Sequence, residues 1–141
     1  MTPDLSLLRR AVDLAGENAA AGQLPFGALV VRAGDVLATG VNTALRDFDP
    51  SAHAEVEAVR AACRALGTLD LRGAEIYSSC EPCEMCRTAA ISAGIAVIWY
   101  AAAGADIPDL RYPVPAPAGF TAVQEKVEDP NEPFDRYLAQ L

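Results

Sequence analysis

The stretch from Glu75 to Tyr100 constrains the fold of this chain more than any other feature of its sequence. Glu75 to Ser79 is typical of a β-strand, Pro82 stands where a first-turn helix proline is common, and Ile95 to Tyr100 is typical of a fully buried strand. A strand-helix-strand unit almost always crosses over right-handedly and leaves its strands parallel. The sequence therefore predicts a sheet that contains a parallel pair and is covered by helices.

The segments on either side of this unit add helices and antiparallel strands. Thr2-Pro3 is typical of a helix N-cap followed by a first-turn proline, and apolar residues then recur at helical spacing until about Gly22. Ala33-Gly34-Asp35 joins two β-rich runs in the pattern of an antiparallel hairpin, and Ser51 precedes a second helix. The other predicted segments are the hairpin strands Phe26 to Val31 and Val36 to Val41, a polar loop from Leu45 to Pro50, a last strand from Phe120 to Val123, and a terminal helix from Phe134 to Leu141. Together they predict a three-layer α/β/α sandwich, in which helices cover both faces of a mixed five-stranded sheet.

Length and charge narrow the expected function. With 141 residues the chain is long enough for one domain with its own core, so we expect a single domain over residues 1–141. Its 11 basic and 19 acidic residues give a net charge of −8, which predicts repulsion from a phosphate backbone, and the basic residues form no local patch. No apolar run approaches the ~20 residues that a membrane span needs. We therefore expect a cytoplasmic protein that binds neither nucleic acid nor membrane.

Three residues have the chemistry of a zinc site. His53 is the single histidine, and Pro82-Cys83-Glu84-Met85-Cys86 follows about thirty residues later. One imidazole and two thiolates suit Zn²⁺ by softness and charge, and unpaired amides in the first turn of a helix favour thiolate over thiol. A thioredoxin-like redox pair is the alternative, but a redox dithiol needs no neighbouring His-x-Glu. The sequence therefore predicts one zinc ion per chain, held by His53, Cys83 and Cys86.

The predicted zinc site lacks a fourth protein ligand. Cys63 falls on the apolar face of the second helix and Cys80 ends a buried strand, where small buried thiols are common. A fourth position left to water is typical of a catalytic zinc, whereas structural sites close with four protein ligands. We therefore expect a catalytic site.

Glu55 is the candidate proton carrier. Residues two apart in a regular helix point to roughly opposite sides, so His53 and Glu55 converge only if His53 lies at the helix boundary. From there Glu55 can accept the proton of a water molecule and pass it to a ring nitrogen and a departing amine. The alternative is a solvated carboxylate favoured by the helix dipole, as we expect of Glu57.

The combination of His-x-Glu with Pro-Cys-x-x-Cys is the mechanistic signature of zinc-dependent nucleobase deaminases. The resemblance extends over residues from about 5 to 107 and is carried by Phe26-Gly27-Ala28, Asn42, His53-Ala54-Glu55-Val56 and the run from Ser79 to Cys86. These segments resemble the cytidine deaminase-like superfamily, most nearly its guanine deaminase and tRNA-adenosine deaminase branch.

The resemblance implies further roles. Asn42 would hydrogen-bond the base or its sugar, Ala54 would offer a backbone group to the ring, Phe26 would wall the pocket, and Asp106 would recognise the purine. It also implies a homodimer and a C-terminal lid formed by residues 124–141, which in some relatives is exchanged between subunits.

The function implied is hydrolytic deamination of an amino-substituted heterocycle with release of ammonia. Guanine or a related aminopurine comes first, a cytosine or aminotriazine ring second and a nucleoside third. A tRNA adenosine deaminase is an alternative that the acidic charge disfavours. An alternative of another class is a non-catalytic interaction domain that zinc stabilises.

Overall fold

The computed structural model describes residues 2–113, 115 and 118–141. The chain divides into two compact units, residues 1–110 and residues 111–141, and each is described by itself. The first unit contains the sheet and the helices that carry the candidate site. A single domain over residues 1–141 stays a prediction.

The first unit is built on four strands in the order β2-β1-β3-β4. These are β1 (Gly27–Arg32), β2 (Asp35–Val41), β3 (Ala74–Cys80) and β4 (Ile98–Ala102). β1 pairs antiparallel with β2 and with β3, whereas β3 pairs parallel with β4. The predicted hairpin is confirmed, and both residues of its turn, Ala33 and Gly34, have the positive φ that such two-residue turns require. The parallel pair around the crossover helix is confirmed as well.

Helices cover both faces of the sheet, as predicted. The covering helices are α1 (Leu5–Ala20), α3 (Ala54–Leu66) and α4 (Glu84–Ser92), and the short α2 (Ala44–Asp47) lies between β2 and α3 in the chain. Successive strand residues point to opposite faces, so Leu29, Val31 and Tyr77 pack with α1. Ala28, Val30 and Ile76 pack on the other face with α3 and α4. The three-layer α/β/α architecture is therefore confirmed.

Several predicted boundaries were wrong. The N-cap of α1 is Asp4 and not Thr2, because the Asp4 carboxylate accepts a hydrogen bond from the Ser6 amide at 2.9 Å. The predicted polar loop begins with the single turn of α2. Pro82 precedes the cap of α4 and is not in its first turn, because Cys83 is the extended N-cap residue.

β4 is neither fully buried nor placed at Ile95 to Tyr100. It runs from Ile98 to Ala102, with Ile98 and Trp99 half-buried and the last three residues exposed. The reason is its place at the edge of the sheet, where only β3 pairs with it among the described residues. Ile95 is buried but lies in the connection between α4 and β4, in neither element.

The second unit contains one helix, α5 (Glu132–Leu138), in its described part. The predicted terminal helix therefore exists but begins two residues earlier, with Pro133 in its first turn. The predicted fifth strand is wrong: residues 120–123 are not a strand, and the side chains of Phe120 and Val123 are 92% and 73% exposed. A segment of four residues with no neighbouring strand cannot satisfy the backbone hydrogen bonds of a β-strand. In the described part of the chain, no helix has both the length and the apolar character needed to cross a membrane.

Candidate metal centre

His53 lies at the boundary of α3, as its convergence with Glu55 requires. It is the N-cap residue, with extended backbone angles of φ −74° and ψ 155°, and Ala54 is the first helical residue. The extended backbone turns the His53 side chain away from the helical spacing that would separate it from Glu55. α3 therefore presents both side chains at its N-terminus.

The two cysteines occupy the same kind of position on α4. Cys83 is its extended N-cap residue, with φ −74° and ψ 172°, and Cys86 lies in its first turn. Cys83 is exposed and Cys86 is buried. Two of the three candidate ligands, His53 and Cys83, are thus N-caps, and the N-termini of two helices meet at one place.

The three donor atoms have the spacing of a tetrahedral zinc site. Nδ1 of His53 lies 3.5 Å from the Cys83 sulfur and 3.6 Å from the Cys86 sulfur, and the two sulfurs are 3.6 Å apart. Tetrahedral bonds of about 2.3 Å to sulfur and about 2.0 Å to nitrogen would give roughly 3.8 Å between sulfurs and roughly 3.5 Å from sulfur to nitrogen. The sulfurs are free thiols, too far apart for a disulfide. His53, Cys83 and Cys86 therefore fit one zinc ion without rearrangement.

Burial sets the protonation of the groups around this site. It raises the pKa of the Cys86 thiol, and the neighbouring Glu55 carboxylate raises it further. Burial and the Glu55 carboxylate therefore outweigh the free amides of the helix, which the sequence analysis expected to favour the thiolate of Cys86. A buried thiol beside a carboxylate needs a cation to become a thiolate, which is the charge that Zn²⁺ brings.

Glu55 is a buried carboxylate in contact with the metal-binding residues. Its side chain is 7% exposed, and it shares a hydrogen bond with Cys86. Burial raises the pKa of the Glu55 carboxyl, while the hydrogen bond with Cys86 and the proximity of His53 lower it by less. Proton carriers between reacting atoms have this kind of environment.

Phe26 and Asn42, two of the predicted substrate-binding residues, are tied to each other. The Asn42 amide donates to the Phe26 carbonyl at 3.1 Å, and the Asn42 side-chain oxygen accepts from the Ala44 amide at 3.0 Å. Asn42 is buried and Phe26 is half-buried. The end of β2 and the start of β1 therefore hold these two residues in one place.

Asp106 lies with Phe26 on the wall of one cavity of about 210 Å³. Ser79 and Cys80, at the end of β3, line the same cavity. Burial raises the pKa of Cys80, and the carboxylates of Glu55 and Asp106 add to this effect. The Cys80 thiol is therefore close enough to the Glu55 carboxylate and to the Asp106 carboxylate for both to affect its pKa.

Asn18 is a residue that the sequence analysis missed. It is buried at the end of α1, and its side-chain amide donates at 2.8 Å to the carbonyl of Leu24 and at 2.8 Å to that of Asn42. The signal for it was present, because Asn18 continues the buried stripe of Ala11 and Ala15 at helical spacing. A polar residue in an apolar stripe indicates a specific buried hydrogen bond.

The other two cysteines, Cys63 and Cys80, lie in the parts of the fold where the sequence analysis placed them. Cys63 is half-buried and packs against the core between α3 and the sheet, and Cys80 is a buried free thiol at the end of β3. The group of metal-binding side chains found in the described residues is His53, Cys83 and Cys86.

Comparison with known proteins gives a consistent result. A family model described as the cytidine and deoxycytidylate deaminase zinc-binding region matches residues 1–102. A guanine deaminase of Bacillus subtilis (strain 168) is 40% identical over 131 residues, which cover 90% of this chain and 78% of the relative. A tRNA-specific adenosine deaminase of Aquifex aeolicus is 38% identical over 81 residues, which cover 57% of this chain and 54% of the relative.

Solved structures resemble the chain over a similar extent. An X-ray structure of guanine deaminase from Bacillus subtilis matches with a TM-score of 0.80 and 33% identity, covering 98% of this chain and 95% of that one. Another crystal structure, of a mutant protein in complex with 8-azaguanine, matches with a TM-score of 0.68 and 32% identity, covering 71% and 58% of the two chains.

Proposed function

We propose guanine as the substrate of this chain, which belongs to the cytidine and deoxycytidylate deaminase family and is a zinc-dependent hydrolytic deaminase. The observation that carries the proposal is the extent of the likeness to a guanine deaminase, which covers 98% of this chain in three dimensions. In sequence, the likeness to a guanine deaminase covers 90% of this chain and that to a tRNA-specific adenosine deaminase 57%; in structure, the likeness to a tRNA:A34 deaminase covers 73%. The net charge of −8 also favours a small base over a polyanion.

His53, Cys83 and Cys86 hold the zinc ion, and their helices set the site's potential. A zinc ion held there supplies Lewis acidity and lowers the pKa of a water molecule towards neutrality. The N-termini of α3 and α4 add positive potential, which offsets the negative charge of the two thiolates. His53 contributes as a neutral imidazole through Nδ1.

Glu55 moves the protons. In the proposed reaction its carboxylate accepts a proton from water, whose oxygen bonds to the ring carbon that carries the amino group. Glu55 gives that proton to the ring nitrogen, takes the second proton from the new hydroxyl group and passes it to the amino group, so that the carbon–nitrogen bond breaks, ammonia leaves and the oxygen remains as the carbonyl. Guanine and water thereby give the 2-oxo purine and ammonia, with all atoms accounted for.

We propose that the base contacts Phe26 and Asp106, whose cavity the metal-binding residues do not line, so that its reacting carbon extends beyond the cavity to the metal centre. Phe26 offers an apolar face to a planar ring, and the Asp106 carboxylate accepts hydrogen bonds from ring N–H groups. Asn42 hydrogen-bonds the base from the end of β2, and Ala54 offers a backbone group from the first turn of α3, where amides have no partner within the helix.

We further propose that the protein is a cytoplasmic homodimer and that residues 124–141 form a lid. In the described residues, the outer edge of β4 pairs with no strand. An apolar groove beside it is lined by Ile91, Ile98 and Tyr100 among others, and Ile91 is 71% exposed. An unpaired strand edge beside an exposed apolar surface favours a second copy of the chain. Light scattering of the wild-type protein and of Ile91→Asp tests this: a dimer that becomes a monomer in the variant supports it, and a wild-type monomer contradicts it.

Ammonia release tests the enzymatic proposal. The zinc-loaded protein is assayed against guanine, adenine, cytosine, aminotriazines, their nucleosides and a tRNA anticodon stem-loop. Turnover of guanine above the other substrates supports the proposal. Turnover of the RNA with no turnover of guanine would instead support the tRNA-adenosine reaction of the other relatives.

Two variants in the first turn of α3 test the role of Glu55. Glu55→Gln keeps the size of the side chain and removes its basicity, so we expect one zinc per chain and a loss of turnover of at least about 10²-fold. Glu57→Gln is the matched control, because Glu57 is in the same turn and pairs with Arg60. Equal turnover in the two variants contradicts the proposed role.

A further inference from the structure

Glu81 connects three parts of the first unit. It follows the last residue of β3, and its amide donates to the carbonyl of Ala102 on β4 at 2.8 Å. Its Oε1 accepts a hydrogen bond from the Gly104 amide at 3.0 Å. Its Oε2 lies 3.6 Å from Nη2 of Arg87 on α4. The side chain therefore bridges the segment after β4 and the helix that carries the cysteines.

The segment after β4 begins with a short turn to which Glu81 is hydrogen-bonded. Gly104 to Asp106 is a single 3₁₀ turn, in which the Asp106 amide donates to the Ala103 carbonyl at 3.0 Å. Gly104 packs against Glu81, because a Cβ added at Gly104 would lie 3.5 Å from the Glu81 Oε1. Anchoring the first residue of so short a turn fixes the direction of its third residue, Asp106.

Arg87 links Glu81 to the metal-binding end of α4. Its amide donates to the Cys83 carbonyl at 3.0 Å, and its Nε donates to the Pro82 carbonyl at 3.2 Å. The guanidinium is thereby held over the same turn that carries Cys83 and Cys86. A connection runs from this turn through Arg87 and Glu81 to Gly104.

Electrostatics at Cys80 place Glu81 among the site's carboxylates. Burial raises the pKa of the Cys80 thiol, and the carboxylates of Glu55, Glu81 and Asp106 all contribute. Cys80 and Asp106 both line the cavity, and Glu81 directly follows Cys80 in the chain.

We propose that Glu81 is a positioning residue, which holds Asp106 at a fixed place relative to the metal centre and so sets how the base is seated. The inference rests on the proposed function, which gives Asp106 the recognition of the base. Glu81 acts through the Gly104 turn, so its removal is expected to weaken substrate binding and not the binding of zinc.

Amide hydrogen exchange tests the anchor without any substrate. In Glu81→Ala we expect the Gly104 amide to exchange about tenfold faster, because it loses a charged acceptor. Glu81→Gln keeps an acceptor oxygen, so its Gly104 exchange is expected to stay within about threefold of the wild-type rate. Glu84→Ala is the control, because Glu84 also lies near Arg87 but is fully solvated. An unchanged Gly104 rate in Glu81→Ala overturns the proposal.

Kinetics and zinc content test the consequence for the base. In Glu81→Ala we expect about a tenfold rise in KM for guanine, kcat within about threefold and one zinc per chain, with Glu81→Gln close to wild type. If Glu81 acts through Asp106, adding Glu81→Ala to Asp106→Ala has little further effect. Fully additive effects, or loss of zinc in Glu81→Ala, overturn the proposal. Failure of the wild-type protein to deaminate guanine overturns the proposed function instead, because the exchange rate of Gly104 reports the anchor separately.

Discussion

Gly40 is the position at which one added methyl group is expected to disturb the site most. It is buried on β2, opposite Ala28 of β1, and α3 crosses it closely. A Cβ at Gly40 would lie 2.3 Å from the Ala58 nitrogen and 2.4 Å from the Ala54 oxygen, both backbone atoms of α3. Ordinary contacts are about 1 Å longer, so Gly40→Ala must push α3 away from the sheet by roughly that distance.

Two losses follow from this displacement. Overpacking of this kind costs about 1–3 kcal/mol of folding free energy, and backbone atoms give way less easily than side chains. The displaced end of α3 also carries His53 and Glu55, and a misplacement of about 1 Å lowers a rate by about 10²-fold. Urea unfolding and ammonia release measure the two effects separately.

Gly16→Ala is the matched control. Gly16 is in α1, and an added Cβ meets nothing within 4 Å. Because alanine favours a helix over glycine, this variant is expected to be more stable by up to about 1 kcal/mol and fully active. If Gly40→Ala unfolds like Gly16→Ala and keeps its rate, α3 is not seated on β2 as described.

Three further changes have distinct expected outcomes. Asn18→Ala leaves the buried Asn42 carbonyl without this donor, whereas the Leu24 carbonyl keeps the Phe26 amide, so we expect a loss of about 2 kcal/mol in urea unfolding and a raised KM for the base. An unchanged KM would contradict a role in holding the Asn42 segment. Cys83→Ser introduces a good N-cap in place of a ligand, so it is expected to stabilise the zinc-free protein by about 1 kcal/mol yet lower the melting temperature of the zinc-loaded one; a shift of the same sign in both forms would refute this. The hydrogen bond with Arg72 lowers the pKa of Asp70 to about 2. The stabilisation that this bond gives the folded protein is therefore present above the ordinary pKa of 3.8 and is lost as the pH falls towards 2. The free energies of unfolding of Asp70→Asn and wild type should differ slightly at pH 7 and converge near pH 2.

The sequence predicted correctly those features whose signals come from residues close together along the chain. The hairpin follows from two adjacent residues that adopt positive φ, and the two helix-start motifs follow from short spacings along the chain. The three metal-binding residues could be predicted because their chemistry is rare and nearly complete in two short motifs. Their convergence required only that the two helix N-termini meet, which the order of the strands provides.

Predictions that depend on partners distant in sequence were less successful. The apolar run at Ile95 predicts a buried strand, but whether a strand is central or an edge depends on what pairs beyond it, and no local pattern contains that information. The run at Phe120 has the composition of a strand without a pairing edge. Asn18 and Glu81 bond to backbone groups of Asn42 and Gly104, and every residue carries such groups, so the sequence does not show which residue is the partner.

The N-cap residues of α3 and α4 depart from the ordinary preferences for that position. N-cap positions favour Ser, Thr, Asp or Asn, whose side chains bond a free helix amide, yet His53 and Cys83 occupy them and make no such bond. Each helix thereby forgoes about 1 kcal/mol of capping. The extended cap conformation turns both side chains towards a shared centre, and metal binding offsets a loss of that size many times over. Local stability is given up at the two residues where the chemistry requires it, so a mismatch between a helix start and its cap residue is itself a signal of a functional site.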